Sequence, residues 1–376
     1  MAEEGLRDDV LFDRHRQLGA DLEDVIWNMQ IPAVYGDQDP DDEVVAVRTA
    51  VGLFDISALN IIHVEGPDAA EALNWMVSIK VPELKENRAR LAMELTEQGG
   101  VRDDIMILRD GPEKFRISHG GGDTPDVLAR AVQGKKVTTR KDTDVHILSV
   151  QGPNALPFLN PNCEDDLARL KYFEHTFTKL FGKDVTIARC GYSGEYGFEV
   201  HAASKDVVDL WDTLLEKGKP FGILPCSWTT IDLMRVEGAL LFYPFDMPYE
   251  HTTPWEIDWG WAVDEDKQEE WLGKEACLAA KGKERTKIVG LTIDHNEGVE
   301  EEAKVFKDGA ETGVVTMPAF SRYLMRSLAL AHVKPEHTAL GTRFEVRDST
   351  GSYQAHVMQT PFYDPLRMRS VPEQYK

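Results

Sequence analysis

The 376-residue chain is poor in cysteine, with only Cys163, Cys190, Cys226 and Cys277. None forms a CxxC or CxxH pair. The spacing therefore offers neither a zinc cage nor a disulfide framework, and it fits a reducing, cytoplasmic setting. Long hydrophobic runs are missing. No stretch of about 18 apolar residues occurs, which excludes a membrane-spanning helix. Positive charge is scarce: 42 Lys and Arg stand against 65 Asp and Glu, for a formal net charge of −23. That balance excludes broad nucleic-acid binding, because phosphates are bound by Lys and Arg. It also disfavours an anionic membrane surface. A small anionic ligand would need a local cationic site set against the acidic whole. The start, Met1-Ala2-Glu3-Glu4-Gly5, has no basic segment leading into an apolar core, so no signal peptide is expected.

What is present is a globular composition, 42% hydrophobic and 28% charged, in a length that suits two or three domains. Residues 61–73 (IIHVEGPDAAEAL) and 146–159 (HILSVQGPNALPFL) echo each other. Each reads as a strand, then Gly-Pro, then a helix, because Pro in the first helical turn sacrifices no hydrogen bond. Two related α+β modules would explain the echo; so would a common strand-to-helix turn. Pro157 limits the second helix. The pattern predicts helices over 204–217, ended by Gly218, and from Ser227 to Gly238. It predicts strands over 101–108, 114–118, 185–190 and 197–201. Beyond the charged stretch 281–287, several strand-like segments and the Asp308-Gly309 hairpin signal predict an all-β barrel or sandwich.

Four constellations could carry chemistry. His119-Gly120-Gly121-Gly122 lacks the nucleophile elbow a serine hydrolase needs, since Gly191-Tyr192-Ser193-Gly194 has the wrong spacing. It is read as a tight loop whose N–H groups could hold an anion. Asp103-Asp104 lies in a strand, where neighbours face opposite ways, so one carboxylate can face a pocket and the other solvent. Residues 242–271 gather Phe242, Tyr243, Phe245, Tyr249, Trp255, Trp259, Trp261 and Trp271 among acidic side chains. This is either an aromatic inter-domain seam or a site for a methylated onium or flat heterocycle. Arg235, near a helix end, would matter if it paired a ligand carboxylate in a cleft.

These pieces resemble the folate-dependent aminomethyltransferase family, which includes the glycine cleavage T-protein and tetrahydrofolate-dependent demethylases such as dimethylsulfoniopropionate demethylase. The matching stretches, in family order, are Tyr35-Gly36, AVRTAVGLFDIS (46–57), VEGPDA (64–69), GGVRDDIMIL (99–108), VQGPNA (150–155), CGYSGEYGFEV (190–200), TTIDLMRVEGALLF (229–242), TPWEIDWGWAVDEDK (253–267), WLGKEA (271–276) and GVVT (313–316). The resemblance implies an α+β protein of three domains arranged as a clover leaf around a central folate site. The expected domains are 1–55 with 144–280, an inserted ferredoxin-like domain at 56–143, and a C-terminal β-barrel at 281–376. It implies tetrahydrofolate as cofactor, Asp103 as the catalytic carboxylate, and Tyr192 and Glu199 as pterin contacts. Arg235 and Trp261 join the cofactor-binding set by the same match. No metal and no covalent enzyme intermediate are called for.

Two departures bear on the substrate. Where the T-protein pattern continues FDVSHM, this chain has Ala58 and Leu59 in place of His and Met, and the helix motif reads TTIDLMRVE rather than ARDTLRLE. Both imply a kept folate site with a changed substrate side. The expected activity is therefore transfer of a methyl group from a small sulfonium, amine or methoxy compound to N5 of tetrahydrofolate. The alternatives are the aminomethyltransferase of glycine cleavage, which would need a lipoyl-carrying protein partner, and a folate-binding protein without turnover. The last is disfavoured because its KGCYxGQE-type motif is replaced by ARCGYSGEYGFE.

Overall fold

The computed structural model describes residues 6–375. The first five residues, part of the segment read above for a leader, lie outside them. No helix among the described residues is long and apolar enough to cross a membrane.

Two antiparallel-rich sheets and a barrel organise the chain. The first sheet has six strands in the order His175–Leu180, Lys183–Ala188, Gly197–Ala203, Val145–Gln151, Val51–Asp55 and Ile223–Cys226, the last pair parallel. The helix Ser204–Gly218 packs one face through Val207, Leu210, Trp211 and Leu214, all buried against Phe198 and Val200 of the sheet. Even residues of Gly197–Ala203 thus enter this core, and odd residues, including Glu199 and His201, are left for the opposite face.

The second sheet runs Arg88–Leu95, Val101–Gly111, Lys114–His119, Asn60–Glu65 and Thr138–Asp142, with every neighbouring pair antiparallel. Helices Ala69–Met76 and Thr124–Ala131 cover it. Its order is βαβββαβ, one strand more than a plain ferredoxin-like unit. The extra strand arises because Gly111-Pro112-Glu113 turns Val101–Gly111 straight back into Lys114–His119. All five strands lie between Val51–Asp55 and Val145–Gln151, which pair with each other in the first sheet. This membership supports dividing the chain at about residues 56, 144 and 281, which we propose as its domain boundaries.

Both strand–Gly-Pro–helix units form, at 60–76 and 145–159, and Pro157 leaves the second helix only Ala155–Leu159. Their glycines adopt φ +138° and +130°, and a Cβ would meet the Lys136 carbonyl oxygen at 2.2 Å or the Ala50 carbonyl oxygen at 2.6 Å. Only glycine fits such a junction. The C-terminal strands close into a six-stranded barrel over Lys287–Met358, resolving the barrel-or-sandwich choice, with Leu291, Val305, Val315, Ala331 and Val346 filling its interior.

Buried ions tie these parts together. The Arg48 guanidinium meets Glu237 at 2.7 Å and Glu195 at 3.6 Å, and donates to the Ser193 carbonyl. Glu237 accepts from barrel Ser321, and Tyr363 donates to Glu195 while its ring covers Arg48. The loop carrying Tyr192 is thereby pinned from three directions.

Candidate functional site

The free faces of the two sheets, with one side of the barrel, enclose a central cavity of about 720 Å³. That volume suits a drug-sized organic ligand. The barrel contributes Val289, Gly290 and Leu330, and the six-stranded sheet contributes Ala188 and Glu199. On the strand Val101–Gly111, Asp104, Met106 and Leu108 share the cavity face, while Ile105 and Ile107 enter the core beneath.

The two aspartates are held differently. Asp103 is 2% exposed. Its Oδ2 accepts from the Gly122 N–H at 3.2 Å and the Thr124 hydroxyl at 3.5 Å, and its Oδ1 accepts from the Asp104 N–H at 3.0 Å. The glycine loop does cradle an anion, and that anion is the protein's own Asp103. Asp104 opens to the cavity and accepts a backbone hydrogen bond from Tyr243. The expectation that one aspartate faces solvent is corrected: both line the cavity, Asp104 open to it and Asp103 with its carboxylate held by the glycine loop. Burial raises Asp103 to about 6. Burial, and then the charge of Asp103, raise Asp104 to about 7.

Glu199 lies across the cavity with no cation beside it. Its single hydrogen-bond partner among the described residues is the Cys190 thiol, and burial raises its carboxyl above the usual range. Tyr192 lines the cavity with its ring, while its hydroxyl donates to the Leu240 and Leu241 carbonyls. Its phenol is thus used to hold residues 240–241. Arg235 also reaches the wall, but it is 1% exposed and already paired with Asp246 at 2.7 Å and Asp232 at 2.8 Å. Asp246 in turn accepts from the Phe242 N–H. Arg235 therefore shapes the aromatic segment rather than offering an unpaired charge. Trp261 sits at the rim, 58% exposed.

The aromatic run splits in two. Trp255, Trp259 and Trp271 are buried with Met93, Leu95 and Leu330, forming the seam. Phe242 belongs instead to the cavity, edge-on to Trp27 at 5.6 Å, and Trp27 meets Trp228 at 6.2 Å. Trp27 lies directly on the glycine loop, where a Cβ on Gly121 would touch its ring at 2.5 Å. Leu59 and Ile231 extend this apolar wall. The sequence reading did not single out Trp27, Trp228 or Leu59 as cavity residues, because only tertiary packing brings residues 27, 59, 120, 228 and 242 together. Strand alternation separated Asp103 from Asp104 but did not single out Asp104, and the resemblance pointed to Asp103.

The residue set fits a reduced folate. A pterin edge presents adjacent N–H donors, and Glu199 is a carboxylate with no cation to satisfy it. The adjoining strip of Ala89, Leu91, Met106 and Leu108 suits a flat ring system.

Comparison with known proteins agrees in order and extent. The GCVT N-terminal domain model matches residues 11–267, and the glycine cleavage T-protein C-terminal barrel domain model matches residues 286–364. The chain is 36% identical over 368 residues to the heme-dependent oxidative N-demethylase gamma subunit of Ectopseudomonas mendocina (strain ymp), covering 96% of each. It is 32% identical over 373 residues to an aminomethyltransferase of Streptomyces coelicolor, covering 96% of this chain and 99% of the relative. The crystal structure of the glycine cleavage system aminomethyltransferase T from Bartonella henselae superposes with a TM-score of 0.87 at 24% identity, covering 96% and 99%, a likeness of fold. With both models matched in sequence along one chain, the protein belongs to the glycine cleavage T-protein (GCVT) family.

Proposed function

We propose that this protein is a tetrahydrofolate-dependent one-carbon transferase whose carbon comes from a small N-methylated amine. The observation that carries the proposal is a pair of carboxylates without neighbouring cations, Asp104 and Glu199, on facing walls of one apolar cavity. The cations near the Asp104 side are engaged: Arg102 with Asp123 at 2.7 Å and Arg235 with Asp246. Such a cavity favours a methylated ammonium, or positive charge that develops during transfer.

When bound, tetrahydrofolate supplies a nucleophilic nitrogen that accepts the carbon. Glu199 and the Tyr192 ring orient the pterin. Asp104 would face the transfer position and take the proton that the accepting nitrogen loses as its bond to the methyl carbon forms, while the donor ammonium keeps the electron pair of the broken C–N bond and leaves as a neutral amine, a task matched to a carboxyl raised to about 7. Trp27, Leu59, Trp228 and Phe242 exclude water, so the Asp104 charge acts in a low dielectric. We place the proton-accepting role on Asp104. Asp103, its carboxylate held by the glycine loop at the same wall, positions it through the Asp104 N–H.

Two features favour a demethylase over an aminomethyltransferase. Ala58 is buried in an apolar cluster with Met29, Ile31 and Trp228, and Leu59 lines the cavity, so neither position offers a titratable group to assist departing ammonia. The 36% identical relative is named as an N-demethylase subunit, which supports both an N-methyl donor and work alongside other subunits. The aminomethyl reading draws support from the full-length likeness to aminomethyltransferases and would require a lipoyl-carrying partner.

The test supplies purified protein and tetrahydrofolate with ¹³C-methyl amines, formaldehyde or an aminomethyl-lipoyl carrier, and follows the label by NMR. Label from the amine in 5-methyltetrahydrofolate is expected. Methylenetetrahydrofolate from formaldehyde alone would place oxidation of the amine in a partner. Product only from the lipoyl carrier would overturn the demethylase reading.

A further inference from the structure

Glu94 takes no part in the chemistry proposed above, yet it is 0% exposed, its carboxyl oxygens have no close hydrogen-bond partner among the described residues, and the one donor facing it is the Thr124 hydroxyl, which Asp103 also uses. It sits on Arg88–Leu95 directly across the β-ladder from Asp103, with a β-bulge following at Leu95. Residues opposite each other on an antiparallel pair share a face, with Cβ atoms about 5 Å apart. An ionised Glu94 would be a second bare charge beside that of Asp103, with no water to solvate it. A buried carboxyl in that position keeps its proton.

No cation pairs with it among the described residues, and the Thr124 hydroxyl is shared with Asp103. The groups facing Glu94 are Asp103 and Arg102 on the neighbouring strand and Thr124 and Asp123 at the start of the helix Thr124–Ala131. Tyr243, from the aromatic segment, also feels its charge. The cation in this set, Arg102, is paired with Asp123. Burial moves Glu94 up to about 7, in the same sense as Asp103.

We infer that Glu94 is a neutral acid that donates its proton in a hydrogen bond to Asp103, and that this acid–carboxylate pair fixes the glycine loop and the Asp104 backbone at the cavity wall. Asp103 is then the hub: it accepts from the Gly122 N–H and the Asp104 N–H, and Glu94 locks its orientation from behind. The fit is tight, since a Cβ on Gly122 would meet the Asp103 Oδ2 at 2.6 Å. Glu94 is a positioning residue, acting on Asp104 through Asp103. Its effect on turnover rests on the proposed function, whereas the shared proton does not.

The test uses the full-length protein and two variants. Glu94→Gln keeps a donor at every pH, and Glu94→Leu has none. Infrared spectra of the folate-free protein at neutral pH should show a carbonyl band of a neutral carboxylic acid that the Glu94→Gln difference spectrum assigns to Glu94. In turnover, Glu94→Leu should lose about tenfold in kcat, the cost of one hydrogen bond to a charged group, with folate affinity unchanged. Glu94→Gln should rescue kcat, because its amide keeps a donor toward Asp103. A difference spectrum without that band overturns the inference, as does a Glu94→Leu enzyme with wild-type kcat. Should Glu94→Leu fail to fold, the isosteric Gln variant decides by its spectrum. A clear band in a protein that binds no folate would preserve the pair and refute the proposed function instead.

Discussion

Replacing Glu199 with Gln should move binding and stability in opposite directions. In the folate-free protein Glu199 is half-buried in the cavity wall, has no cation beside it and accepts only from the Cys190 thiol. A neutral amide of the same shape removes a desolvated charge, so the variant should gain on the order of 1 kcal/mol, a rise of about 2 °C in Tm. Reduced folate should lose the charged acceptor for its N–H edge. One or two hydrogen bonds to a charged group amount to roughly 2–3 kcal/mol, or about 30- to 150-fold in Kd. The pH dependence follows the same logic. The folded-state pKa lies above the unfolded value, so Glu199 binds more protons in the folded protein, and its contribution to stability falls as pH rises through the folded pKa. Folate affinity depends on the ionised form and should weaken as pH drops through that same raised value. Calorimetric titration and thermal denaturation on one preparation read both effects. A Glu199→Gln protein that binds folate with unchanged Kd would refute the pterin-edge role, and one that melts earlier would refute the claim of a half-buried charge without a cation.

Further outcomes are expected. Asp104→Asn should lower kcat by roughly 10²–10⁴, the usual worth of a positioned proton acceptor, while folate Kd stays within about twofold; equal losses in binding would contradict the assignment. Because Asp104 must be ionised to take a proton, kcat/KM of the wild type should rise with pH through about 7, and a profile flat from pH 5 to 9 would remove Asp104 from that role. Lys267 is 2% exposed, and its Nζ donates to the carbonyls of Asn74, in the last turn of the helix Ala69–Met76, and of Val77 and Ile79 just beyond it. Lys267→Met should cost about 3 kcal/mol in urea denaturation, leaving three buried acceptors unpaired; a loss below about 1 kcal/mol would contradict that role.

How much was legible in the sequence depended on whether a feature was local. The helices 204–218 and 228–237 were readable from apolar spacing and from the N-capping Ser227, which does accept from the Thr230 N–H, whereas the expected stop at Gly218 falls inside the helix and the left-handed cap comes at Gly222, after a further turn over 219–221. The first of these helices is capped by Ala203 rather than Ser204, whose hydroxyl donates to the Asp144 carbonyl instead. The paired Gly-Pro units were readable because the φ they need is available only to glycine. The cavity was harder to see. Strand alternation separates Asp103 from Asp104, but it cannot say which face meets ligand until the glycine loop is seen to claim Asp103. Arg235 looked available because its partner Asp246 is eleven residues away in a segment with no regular structure. Trp27 and Glu94 carry no signal of their own. Each acquires meaning only from residues distant in sequence, the loop 119–122 for one and the ladder partner Asp103 for the other.

The most direct measurement is a crystal structure of the protein soaked with tetrahydrofolate. The pterin edge should lie within hydrogen-bond distance of the Glu199 carboxylate, with Asp104 facing N5 and the Trp27–Phe242 wall closing the transfer side. A folate bound outside the central cavity, or one whose pterin faces away from both Glu199 and Asp104, would contradict the proposed chemistry at its root.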